Sequence, residues 1–102
     1  MRVVYLDGRG GICPPPRGDK LAGHLNARLE EYREEGISSR VEDTGRVTAA
    51  FSGLTGEEAA GKLRCAGVYA CPCGDGVRFV MGAETTFEDL DYVQSAAALL
   101  PE

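Results

Sequence analysis

Between Asp19 and Gly36 the apolar residues Leu21, Leu25, Leu29 and Tyr32 recur at helical spacing, and every other residue there is small, polar or charged. A helix with one apolar stripe has no stability of its own in water, so the rest of the chain must cover it. Asp19 is placed to cap the first turn, and Gly36 to end the helix, because glycine accepts the left-handed backbone common at helix C-termini. The segments that follow predict the cover. Val47, Ala49 and Phe51 alternate with Thr48 and Ala50, the period-two pattern of a half-buried strand. Strands over 37–42 and 46–52, joined at Asp43-Thr44-Gly45, read as a hairpin.

Thr55-Gly56-Glu57-Glu58 is a capping box. Its hydroxyl and carboxylate can each satisfy a free amide of a first helical turn, with Leu54 stapled onto Ala59. That helix is predicted to run to about Ala66 and stop at Gly67. A strand over 68–71, a tight turn at Cys73-Gly74-Asp75-Gly76 and a strand over 77–81 come next. Thr85 or Thr86 caps a last helix with Phe87, Leu90, Val93, Ala97 and Leu100 inward and Pro101 as its stop. Residues 1–17 differ: a strand at Val3 to Leu6, then Gly8-Arg9-Gly10-Gly11, then a Pro14-Pro15-Pro16 triplet that favours polyproline II. They read as an arm or loop with one short strand, ahead of an α+β unit over 18–102. The expected fold is a two-layer α+β sandwich, a mainly antiparallel sheet with about three helices on one face.

The 102 residues have room for one domain. A net charge of −5 has the wrong sign for binding a phosphate backbone, so no nucleic-acid partner is expected. No apolar run reaches about 18 residues, and the opening segment is broken too early for a signal peptide. A cytoplasmic protein without a membrane partner is expected, with Cys13, Cys65, Cys71 and Cys73 as free thiols.

Cys71-Pro72-Cys73 is placed by this reading on a turn, where two close thiols could bind a soft metal, carry a persulfide or form a redox pair. C-x-C lacks the two-residue gap of zinc knuckles, and a tetrahedral centre would need Cys65 or Cys13 plus another ligand from elsewhere, so no metal site is expected. Cys65, near the end of the second helix, reads as a packing residue. His24, off the apolar stripe, reads as a surface residue, and pairing with Cys13 as nucleophile and base has nothing local to orient it. The Gly8-Arg9-Gly10-Gly11 run could form an anion nest but fits no phosphate-loop pattern.

From Leu54 onward the residues resemble the C-terminal small domain of class V aminotransferases and cysteine desulfurases, pyridoxal-phosphate enzymes of fold type I. The run Val77-Arg78-Phe79-Val80-Met81-Gly82-Ala83-Glu84-Thr85-Thr86-Phe87-Glu88-Asp89-Leu90-Asp91 is similar to that family's strand-to-helix junction, and Gly53-Leu54-Thr55 with Ala66-Gly67-Val68 to its preceding helix. The helix at 19–35 and the strand at 46–52 fit the elements before these, so the likeness spans roughly 85 residues. It implies that Arg78 holds a substrate carboxylate, which suits a planar guanidinium with two parallel donors. Val80 departs from the pattern, where many relatives carry serine. Cys71 and Cys73 fall on the segment equivalent to the desulfurase cysteine loop, here much shorter.

The family's large domain, with its aldimine lysine and phosphate cradle, has no counterpart in this chain, and Lys20 and Lys62 lie outside any similar motif. Catalysis by the chain alone is therefore not expected, and pyridoxal phosphate would enter only with a large-domain partner. The leading expectation is a small-domain unit acting through association, with itself as a homodimer or with a pyridoxal-phosphate large-domain polypeptide. The alternative is a small carboxylate-ligand or cysteine-based sulfur-carrier module.

Overall fold

A computed structural model describes residues 2–9, 11–43 and 45–101. Its elements, in order, are β1 (Val4–Leu6), α1 (Arg17–Glu30), a short 3-10 turn (Arg33–Glu35), β2 (Ile37–Asp43), β3 (Arg46–Phe51), α2 (Gly56–Cys65), β4 (Val68–Cys73), β5 (Gly76–Val80) and α3 (Phe87–Ala97). The five strands form one sheet in the order β1-β4-β5-β3-β2. Pairing is antiparallel throughout except that β1 runs parallel to β4, with Val4 beside Val68 and Leu6 beside Ala70. The expected α+β architecture is the one observed, with a mixed sheet.

The two capping boxes form as their sequences dictate. In α2 the Glu58 amide donates to Thr55 Oγ1 at 3.1 Å and the Thr55 amide donates to Glu58 Oε1 at 3.0 Å. Thr86 and Asp89 make the same exchange at the start of α3, while Thr85 turns inward and accepts the Gly82 amide at 2.8 Å. The start of α1 departs from expectation. It begins at Arg17 after Pro16 with no side-chain cap, because the Gly18 amide already closes a turn onto the Pro14 carbonyl. Asp19 then lies within the first turn, where it complements the positive end of the helix. Gly36 takes φ +108° and ends the 3-10 turn. Pro16 takes φ −84° and ψ −8°, helical backbone that leads into α1, so the triplet does not run through as polyproline II. In the β2–β3 connection Thr44 lies outside the described residues.

Alternation decides the faces. Val47, Ala49 and Phe51 of β3 and Val77 and Phe79 of β5, with Met81 just beyond it, all point into the core, as do Ile37, Val68, Val4 and Leu6. The helices cover this face: α1 packs on β2, β3 and α3, and α2 packs on β4 and β5. Leu21, Leu25 and Leu29 are fully buried, as the stripe requires, and Tyr32 packs at its edge. The N-terminal segment contributes Val4, Leu6 and Cys13 to the same core. Phe87, expected inward, is 47% exposed and instead meets His24 of α1 edge-on, ring centroids 5.0 Å apart. As the first residue of α3 it reaches α1 rather than the sheet. Cys65, expected to be packed, is exposed, because two residues past Leu63 the helix has turned its other side outward.

Candidate functional site

The face that the helices leave uncovered carries the chemistry. On β5, the middle strand, Arg78 points away from the Val77 and Phe79 stripe. Its register neighbours are Cys71 on β4 and Thr48 on β3, and Thr48 in turn lies beside Arg40 on β2. One row across four strands therefore reads Cys71, Arg78, Thr48, Arg40.

The cations of this face differ in how they are balanced. Arg40 has Glu42 3.6 Å away, and Thr48 Oγ1 donates to the same carboxylate at 2.5 Å. Arg9 forks onto Asp7 with three side-chain contacts of 2.7–3.0 Å. Arg78, half-buried, has no carboxylate partner among the described residues; its Nη2 donates to Cys73 Sγ at 3.5 Å, and its Nε is buried without a partner.

Cys71 and Cys73 both belong to β4, so the strand continues through the segment that the sequence assigned to a turn, and the turn is Gly74-Asp75 alone. The physical reason is Gly74, whose φ of +59° lets a two-residue connection close the hairpin. As alternate residues the two cysteines share the open face with Arg78. β1 ends opposite Ala70, which leaves residues 71–73 with β5 as their sheet neighbour. A local edge of this kind is where a proline such as Pro72 is tolerated. The Cys71 thiol donates to the Asp7 carbonyl at 3.5 Å.

Beside Cys71 lies a group that the sequence reading missed. Tyr5 and Tyr69 are register partners on β1 and β4, stacked at 5.1 Å, and the Arg9 guanidinium covers both rings at 4.4 and 5.0 Å. Each tyrosine occupies the outward parity of its strand, but only the parallel pairing of distant segments brings them together. Arg9 holds the Asp7 carboxyl below its ordinary pKa, chiefly through the side-chain hydrogen bonds, and is itself raised by the same contacts. In the Gly8-Arg9-Gly10-Gly11 run, Gly10 lies outside the described residues, and Arg9 folds back on Asp7, so the local anion is the chain's own carboxylate.

The other candidates are held elsewhere. Cys13 is buried and its sulfur accepts from Arg17 Nη1 at 3.2 Å. His24 Nε2 is 3.0 Å from Asp91 Oδ1, so it joins α1 to α3 and is not paired with Cys13. Lys20 and Lys62 are exposed on the helical layer. A lysine that forms a Schiff base needs a desolvated setting to lower its pKa, so these residues do not fit covalent attachment of pyridoxal phosphate. Among the described residues no helix is long and apolar enough to cross a membrane, and no group of three or more metal-ligating side chains converges.

No family model matches the sequence, and no curated protein matches it. Solved structures do. A thermostable omega transaminase variant engineered for asymmetric synthesis of enantiopure bulky amines superposes with a TM-score of 0.64 over 78% of this chain and 20% of its own, at 14% identity. A six-fold mutant of a thermostable omega transaminase from Pseudomonas jessenii gives the same figures. A transaminase with L-ala gives a TM-score of 0.62 over 78% of this chain and 22% of its own, at 17% identity. The chain thus spans about a fifth of each enzyme it resembles. At these identities the likeness is one of fold: the chain is built like a part, about a fifth, of these transaminases.

Proposed function

We propose that this chain is the small-domain component of a class V or cysteine desulfurase type assembly, and that it presents Arg78 to the carboxylate of an amino-acid substrate. One observation carries the reading: Arg78 stands on the middle strand of the uncovered face, half-buried, with no carboxylate partner among the described residues. A guanidinium so placed can take a carboxylate through two parallel N–H donors, and partial burial strengthens that pairing. With both lysines exposed, the Schiff-base chemistry belongs to a large-domain polypeptide. That polypeptide, or a second copy of this chain, would cover the open face.

The test is affinity capture of the tagged chain from its native host, with mass spectrometry and a cofactor spectrum of whatever co-purifies, alongside sedimentation of the chain alone. A captured large-domain polypeptide carrying pyridoxal phosphate supports the reading. Arg78→Ala should then leave the complex intact while raising the KM for the amino-acid substrate. A chain that sediments as a monomer and captures no such polypeptide overturns it.

A further inference from the structure

We propose that Cys71 and Cys73 form a two-coordinate site for a soft monovalent cation of the Cu(I) class, with Arg78 as its counter-charge. The inference does not rest on the carboxylate reading, and the two occupants would compete for Arg78. It starts from the shape of β4, where alternate residues lie about 6.6 Å apart and point the same way, which sets Cys71 and Cys73 on the same open face. Both are half-buried free thiols, sheltered yet reachable. The other two cysteines are not near enough in role to help: Cys13 is in the core and Cys65 is exposed at the end of α2. A tetrahedral ion needs four donors, and no group of three converges among the described residues. Thiolate donors select soft ions, and a soft monovalent ion such as Cu(I) is content with two of them.

The charges close. Binding breaks two S–H bonds, releases two protons to solvent and forms two Cu–S bonds, with no change in the oxidation state of the metal. Two thiolates and one Cu(I) carry −1, which a single guanidinium neutralises. Arg78 is that guanidinium: it lies opposite Cys71 in register and already donates to the Cys73 sulfur at 3.5 Å. The Cys71 thiol spends its proton on the Asp7 carbonyl, a contact that the metal would replace.

The experiment is anaerobic titration of the reduced chain with Cu(I) against a chromophoric Cu(I) chelator, with X-ray absorption on the loaded sample. The expected result is one equivalent per chain, with two sulfur neighbours around copper. Cys71→Ser and Cys73→Ser should each abolish competition with the chelator while circular dichroism stays unchanged, and Cys65→Ser should bind as the parent does. Arg78→Ala should weaken retention by about tenfold to a hundredfold, the usual effect of a lost outer-shell partner. A spectrum with three or more sulfur neighbours, retention by either serine variant, or Zn(II) held as tightly as Cu(I) would overturn the assignment. The absorption measurement needs no variant, so it decides the matter even if a substitution unfolds the chain.

Discussion

Gly56, which opens α2, and Gly76, which opens β5, meet backbone to backbone: a methyl group on Gly56 would lie 2.4 Å from the Gly76 carbonyl oxygen. Neither atom belongs to a flexible side chain, so the clash has no cheap relief. Gly56→Ala should cost about 3 kcal/mol, the upper range for overpacking. Gly61→Ala, in the same helix with nothing within 4 Å of the added carbon, should stabilise by about 0.5–1 kcal/mol through helix propensity. Urea unfolding of the two variants should therefore show opposite signs.

Leu6 is fully buried on β1, as Leu25 is on α1. Truncating either should remove contacts of the same kind, at about 2–5 kcal/mol each. A Leu6→Ala cost near zero by thermal unfolding would mean that the N-terminal strand contributes nothing to the core.

The Asp7 carboxyl lies below its ordinary pKa because Arg9 hydrogen-bonds it. A group depressed on folding stabilises the native state above its unfolded pKa, about 4 for aspartate, and that contribution drains away as pH falls through the lowered native value. The wild-type advantage over Asp7→Asn should be constant from neutral pH down to about pH 4 and shrink below it. An advantage that grows on acidification would contradict the Arg9 contact.

Thr85 and Thr86 are adjacent but do different work. Thr86→Ala removes the cap of α3 and should cost about 1 kcal/mol, recovered by Thr86→Ser. Thr85→Val keeps the shape but strands the Gly82 amide in a buried position, and should cost about 1–3 kcal/mol. Calorimetric melting of the three variants separates these roles.

The helices and strands were legible because each carries its own period or cap. The Leu21, Leu25 and Leu29 stripe and the Thr55 box require no knowledge of distant residues. Strand alternation also sets Arg78 on the side opposite Val77 and Phe79. What the sequence concealed depends on pairings between distant segments. The Tyr5–Tyr69 stack needs the parallel register of β1 on β4, and the Arg78–Cys73 contact needs β4 to extend past Ala70 as an edge. The ends of α1 and α3 were hidden for a local reason: a proline-led turn replaced the aspartate cap, and Phe87 found a ring on α1.

The parallel pairing of β1 with β4 joins the first strand of the chain to one more than half its length away. Such a pair closes a long loop before any contact rewards it. During synthesis Val4 and Leu6 emerge long before Val68 and Ala70 and must wait for them, so the hairpin and the α1 stripe can assemble while β1 is still without its partner. β1 is made well before its partner, and until the two pair the flank of β4 stays open to any competing strand of similar pattern.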